Sequence, residues 1–388
     1  MPTPLATHDG LQRRARLSTR AQFFHLGVVA GVWGVHVPSI KAAYALDERM
    51  LALVLLATSL GSVCMLFLAG PLVGRLGARN TTVVAGGLFT AALGLSLTLP
   101  SVWVLLPFML MLGAGESLYD VAINAEGTML EQLGGRAVMS GFHGMFSVGA
   151  LAGSGLAALM LRAEVPAALQ LQGVAAAVIV SLAIASRGML PAHPVHDDTQ
   201  AHFVLPRGVL LVTGLLICCA MLAEGVMYNW SVLYVQQELH TPQTRAALAY
   251  VAFAAATAAM RFAGDFVRTR VSERQMVRGG AVLSAVAMAV VLVFARPWIA
   301  IAGFAVVGVG LATIVPLLYN AATRVPGVSR AAAIASVSSI GYVGFMIGPP
   351  IIGGIAHLTT LSVAMATLIG AALVLFAGAT RVPLQEMR

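Results

Sequence analysis

Twelve apolar runs, each close to the length needed to cross a lipid bilayer, divide this chain and leave room for few other designs. They cover residues 21–42, 50–73, 80–99, 102–128, 138–161, 167–187, 208–235, 247–266, 279–295, 298–320, 331–355 and 361–380. A helix needs about 20 apolar residues to cross the hydrocarbon core. Inside lipid a segment must satisfy its own backbone polar groups, so each run is read as a helix. The composition agrees: 59% of the residues are hydrophobic and only 10% are charged, against roughly a quarter charged in soluble domains. The expected class is an all-α membrane protein of twelve transmembrane helices. The longest polar break, 188–207, falls after the sixth run. It divides the chain into a tail (1–20), a first bundle of six helices (21–187), a linker (188–207), a second bundle (208–380) and a short tail (381–388).

Charge placement sets the orientation. With both tails inside, the inside segments hold seventeen arginines and the outside segments hold Lys41, Arg49, Arg162, Arg245 and Arg296. Basic residues concentrate on the cytoplasmic side of membrane proteins, so both termini and the 188–207 linker are expected in the cytoplasm and the chain in a bacterial inner membrane. An eleven-helix reading scrambles this sorting. The net charge of +8 does not indicate nucleic acid, because no basic stripe with interleaved aromatics is present. Arg13, Arg14, Arg16 and Arg20 lead straight into the first run with no small-residue cleavage site after it, which reads as a first span and not a removable signal. Cys64, Cys218 and Cys219 all lie in apolar runs and give neither a disulfide framework nor a metal spacing. His193, His196, Asp197, Asp198 and His202 fix no metal geometry and read as a solvated linker. There is no nucleotide-binding loop ending in Lys-Ser/Thr, no nucleophile elbow and no zinc motif. No enzyme activity, cofactor or metal is therefore expected. The expected partners are a small solute, protons and lipid, and the chain is expected to be a monomer.

The two halves repeat. Gly70-Pro-Leu-Val-Gly-Arg-Leu-Gly-Ala-Arg79 follows the second run and Arg261-Phe-Ala-Gly-Asp-Phe-Val-Arg-Thr-Arg270 follows the eighth, each with a Gly-Gly pair shortly after. Parallel repeats of this kind build secondary transporters. The loops resemble the one between helices two and three of the major facilitator superfamily, roughly Gly-x-x-x-Asp-Arg-x-Gly-Arg-Arg. The first copy matches at Gly70, Arg75, Gly77 and Arg79 and has Gly74 at the acidic position. The second keeps the acid as Asp265, with Arg268 and Arg270, and has Arg261 where the first glycine belongs. The resemblance makes Arg75, Arg79, Asp265 and Arg268 gate residues. Asp120-Val-Ala-Ile-Asn124 resembles the Glu-x-x-x-Asn segment of fucose–proton symporter-like members, where the acid takes part in proton coupling. Glu224-Gly225 with Asn229-Trp230, and Gly344 to Gly354 with Pro349-Pro350, look like the YbjJ-like bacterial branch. The fifth run lacks the Gly-Pro pair of drug–proton antiporters, which disfavours multidrug export.

Ionisable groups inside spans carry the functional expectations, since each costs about 2.5–3.5 kcal/mol on insertion scales. Glu116, Asp120 and Asn124 recur every four residues and share one helix face. Two carboxylates one turn apart repel when both are ionised, which suits one of them to carry a proton near neutral pH. Asp120 leads, with Glu116 and His143 as further proton-coupling candidates; Glu126, on another face, reads as a helix-end or gate residue. Glu224, mid-run, is expected to contact solute or to be a buried acid paired with an arginine or amide. Asn124, His36, Trp33, Tyr228, Trp230 and Tyr342 complete the expected solute contacts, with Tyr119 among the aromatics near the cavity, while His25 reads as interfacial. Gly27, Gly31 and Gly34, Gly149 and Gly153, and Gly344 and Gly348 form small-residue stripes for close helix packing. The resulting expectation is a secondary transporter whose halves rock about a central site, moving a sugar or another small polar metabolite with a proton. A proton-driven exporter of drugs or metabolites, or a transporter-like sensor, is the alternative.

Overall fold

The computed structural model describes residues 4–135, 138–191 and 205–386, apart from the side chains of 4–9, 140, 265 and 331. Among the described residues there is no strand. The helices are α1 (Pro4–Ala43), α2 (Glu48–Leu76), α3 (Ala78–Leu95), α4 (Val102–Gly134), α5 (Met139–Arg162), α6 (Ala167–Ser186), α7 (Val209–Gln237), α8 (Gln243–Arg268), α9 (Glu273–Phe294), α10 (Pro297–Leu311), α11 (Ile314–Ala322), α12 (Arg330–Leu358), α13 (Leu361–Met365) and α14 (Thr367–Gly378), closed by a 3-10 turn. Among the described residues eleven stretches are long and apolar enough to cross a membrane, counting α10 with α11 and α13 with α14 as single spans. The remaining run of the sequence reading is α3. It has 18 residues, and Arg79, Asn80, Thr81 and Thr82 occupy its first turns. It still packs inside the bundle, against α4 and α6.

The chain divides into two compact units, Met1–Tyr44 with Ala57–Asp198, and Ala45–Leu56 with Thr199–Arg388. Each unit repeats one scheme of neighbours. In the first, α1 packs on α5 and α6, and α3 on α4 and α6; in the second, α7 packs on α12 and α14, and α9 on α10 and α14. This common scheme is the three-dimensional form of the repeat in the sequence.

Small residues set the closest approaches. A Cβ on Gly27 would meet the Phe146 carbonyl and one on Gly31 that of Ala150, while Gly149 and Gly153 face the Phe24 and Val28 carbonyls. The α1 and α5 stripes therefore interlock backbone to backbone, as small-residue faces do in membranes. Gly344 does the same against Cys218 on α7, whereas Gly348 has open space around it. Gly77, at φ 77°, makes the sharp turn from α2 into α3, a conformation that a Cβ would disfavour.

Several boundaries differ from the sequence reading. The segment expected as a polar tail, 1–20, is helical from Pro4 and continuous with the first span. Its arginines do not break a helix, because arginine is a good helix former wherever it can reach polar surroundings. The tenth and twelfth runs each break, at 312–313 and at 366. In the closing segment, expected as a short tail, Val382 and Leu384 are buried. Most of the linker, 192–204, lies outside the described residues.

Candidate functional site

In the first unit the chemistry sits on α4. Steps of four residues on a helix of 3.6 per turn place Glu116, Asp120 and Asn124 on one face, and all three are half-buried. The Asn124 amide donates to the Asp120 carbonyl at 2.8 Å and to its carboxylate at 3.0 Å. Glu116 lies within reach of the Asp120 charge. The neighbouring Tyr119 fixes the rotation of α4. It is buried, and its hydroxyl donates to Gln22 Oε1 on α1 at 2.8 Å, while Gln22 Nε2 donates to the Leu182 carbonyl on α6 at 3.2 Å. With Tyr119 pinned inward, Asp120 is held about 100° further round the helix. Tyr119 is thus a strut among α1, α4 and α6, not a group lining an open cavity.

The histidines separate. His36 is fully buried, and its ring nitrogens lie 3.0 Å from Ser39 Oγ and 3.0 Å from Gln170 Oε1 on α6, which accounts for it as a helix-to-helix hydrogen-bonder. His143 is exposed in the second turn of α5, its ring edge-on to Phe23 at 5.2 Å. His25, expected at the interface, is buried, with Nε2 at 2.6 Å from Ser181 Oγ. Trp33 is half-buried on α1.

In the second unit Glu224 lies mid-way along α7, and Arg261 Nη2 on α8 approaches its carboxylate to 4.0 Å. Tyr228, one turn after Glu224, is hydrogen-bonded to the same guanidinium and packs its ring on Tyr250 and Phe253 of α8 at 5.9 Å and 5.3 Å. An acid, a base and a phenol thus meet at membrane depth, and the side chains of Glu224 and Arg261 keep 11% and 24% exposure. Tyr342 is half-buried on α12, whereas Trp230 is 1% exposed and belongs to the core. Arg261 is the residue that sequence reasoning missed. The loop motif claimed it, although a cation inside the apolar run 247–266 carries the same insertion cost as an acid and calls for a partner.

The gate residues are dispersed differently. Arg75 is exposed. Arg79 lies within electrostatic reach of Glu126, whose carboxylate accepts from the Leu190 amide at 2.7 Å. The Asp265 side chain lies outside the described residues. Arg268 donates to Glu273 at 2.9 Å, and Glu273 also accepts from Arg324 at 2.5 Å and 2.9 Å and from the Gln385 amide at 3.0 Å. The hydrogen bonds that Arg324 donates to Glu273 raise the Arg324 pKa above its ordinary value. Glu273 is 4% exposed and joins the α8–α9 turn, the α11–α12 loop and the closing segment. Sequence reasoning passed over it as one acid in an arginine-rich loop.

Two units with one packing scheme, spanning helices throughout and ionisable side chains held at membrane depth define a polytopic membrane transporter. The known proteins that resemble it narrow the class. Residues 212–386 match the family model of the Major Facilitator Superfamily. Over 359 residues the chain is 32% identical to an uncharacterised MFS-type transporter of Yersinia pestis, covering 92% of this chain and 93% of that one. It is 29% identical to the membrane protein MosC of Rhizobium meliloti over 90% of this chain and 85% of that one. In fold it resembles the nucleoside transporter NupG at a TM-score of 0.75 (13% identity, 96% and 99% coverage). It also resembles a D-xylose–proton symporter at 0.72 (14% identity, 94% and 97% coverage) and the E. coli fucose:proton symporter FucP at 0.64 (16% identity, 94% and 97% coverage). The chain belongs to the major facilitator superfamily and is a transporter, not an enzyme.

Proposed function

We propose that this transporter moves a small polar solute by alternating access and couples the movement to a proton carried at the Asp120/Glu116 pair. The observation that carries the reading is the α4 face, where two carboxylates one turn apart are half-buried in a membrane-spanning helix and Asn124 donates to one of them. A carboxylate at that depth is tolerated when it is protonated or hydrogen-bonded, so a group that exchanges one condition for the other moves a proton. Glu224, Arg261 and Tyr228 supply the donors and acceptors that a polar solute needs, with Tyr342 of the same unit as a further half-buried contact. The solutes named for fold neighbours, which are fucose, xylose and nucleosides, are of this polar kind. The arginine distribution supports a bacterial inner-membrane orientation with both termini in the cytoplasm.

The test is reconstitution into liposomes that contain a pH-sensitive dye. L-Fucose, D-xylose and a nucleoside are added in turn, and counterflow of the radiolabelled compound is measured in parallel. The expected outcome is that the solute showing counterflow also acidifies or alkalinises the lumen. Counterflow without any solute-dependent proton movement refutes the coupling.

A further inference from the structure

The second unit holds a cavity of about 770 Å³ between the first turns of α9 and the end of α14. Its rim is charged. Arg274 and Arg278 stand one turn apart on α9, and Glu386 of the closing segment pairs with Arg274 at one edge. Its floor is apolar, made by Leu283, Val286 and Phe376, and the Arg278 guanidinium lies 4.1 Å from the centre of the Phe376 ring.

Two observations indicate that this rim receives a ligand. The Nε atoms of Arg274 and Arg278 are both buried and have no hydrogen-bond partner among the described residues. An unbonded buried donor forfeits its hydration, and more so when it is charged, so native structures leave few of them. Both guanidinium groups belong to residues that line one cavity. The second observation is the continuation of the floor. Val282, Val286, Val290 and Val293 are 45%, 56%, 39% and 78% exposed and form one stripe down α9. The stripe runs about 16 Å along the helix axis at 1.5 Å per residue, away from the charged rim and into the apolar part of the span.

A charged rim over a greasy track is the profile of an amphiphile with an anionic head. We propose that this cavity binds the phosphate headgroup of an anionic phospholipid, with Arg278 and Arg274 on the phosphate and an acyl chain along the α9 valines. Basic pockets beside membrane helices recognise anionic headgroups by this combination. A free phosphate satisfies the arginines equally well but leaves the apolar floor and stripe uncovered, which favours the lipid. The Glu386 carboxylate reaches the same Arg274 as the proposed headgroup, so Arg278 is the principal anchor.

Native mass spectrometry of the full-length protein in detergent tests the proposal, with phosphatidylglycerol and phosphatidylcholine of matched chains supplied in equal amounts. The wild type is expected to retain phosphatidylglycerol in preference. The double variant Arg274→Gln/Arg278→Gln is expected to lose about 30-fold in phosphatidylglycerol retention, because each arginine near a headgroup contributes about a factor of five, with phosphatidylcholine unaffected. Val286→Trp keeps both guanidinium groups and obstructs the chain track at an exposed position, so it tests the site even if the double variant does not fold; it too is expected to lose phosphatidylglycerol. Unchanged retention by either folded variant overturns the proposal. So does displacement of phosphatidylglycerol by excess inorganic phosphate, which would assign the site to a free anion.

Discussion

At the scale of single residues the two units treat charge differently. The first holds two acids one turn apart and satisfies one of them with an amide; the second pairs an acid with a base. Asp120→Asn keeps nearly the same shape and the hydrogen bond to Asn124 but removes ionisation. On a solute that shows counterflow, the variant is expected to keep exchange and lose uphill, gradient-driven accumulation. Survival of both activities moves the coupling role to Glu116. In the second unit, Arg261→Gln strands Glu224 at membrane depth. Breaking a fully buried pair costs about 3–5 kcal/mol. Arg261 keeps 24% side-chain exposure, so a loss of about 2–3 kcal/mol is expected, read as a lower melting temperature. The double variant Glu224→Gln/Arg261→Gln is expected to recover most of it, because neither partner is then left charged and alone. If the double variant melts as low as the single one, the pair does not stabilise the fold in this way. Glu224 was legible from sequence because a lone acid in an apolar run attracts notice. Its partner was not, because Arg261 lies on the next helix and no periodicity within α7 or α8 relates the two.

At the scale of elements, the helices were legible wherever length and hydropathy alone decide them, and less so where neighbours decide. The α2–α3 turn is announced by Gly77, and the start of α9 by Ser272 and Gln275, which form a reciprocal cap. The breaks at 312–313 and 366 carry no such signal. Nor does the closing segment, which is too short for any period and is held by side chains distant in sequence. The glycine stripes were readable as packing faces, but only the geometry tells which glycines are tight. Gly31→Val would drive a Cβ into the Ala150 carbonyl, whereas Gly155 on α5 has nothing within 4 Å of its would-be Cβ. Overpacking costs about 1–3 kcal/mol or more, so Gly31→Val is expected to lower the melting temperature or abolish expression. Gly155→Val is expected to leave the melting temperature nearly unchanged. Equal effects at both positions would show that the interlock does not limit stability.

At the scale of the whole molecule the orientation in the membrane is the first quantity to measure. In a variant lacking Cys64, Cys218 and Cys219, a cysteine placed at Leu205 is expected to resist a membrane-impermeant thiol reagent in intact cells, and one placed at Glu164 to react. The reverse pattern inverts the topology inferred from the arginines. The closing segment makes a second prediction at this scale. Truncation after Arg381 removes Val382, Leu384 and the amide that Gln385 donates to Glu273. The truncated chain is expected to lose about 3–6 kcal/mol from the two apolar burials and about 1.5–3 kcal/mol from the charge-assisted hydrogen bond, less the ordering entropy of the segment, read as a lower melting temperature. An unchanged melting temperature would mean that the segment rides on the surface without holding it.

That contact also fixes an order of events during synthesis. Glu273 and Arg268 leave the ribosome more than a hundred residues ahead of Gln385. Chains generally acquire structure from the N-terminus while they are being made. The corner around Glu273 must nevertheless wait for Gln385, and until then its carboxylate has only arginines to hold it. The pace at which the intervening residues are translated and inserted therefore sets how long that corner stays incomplete.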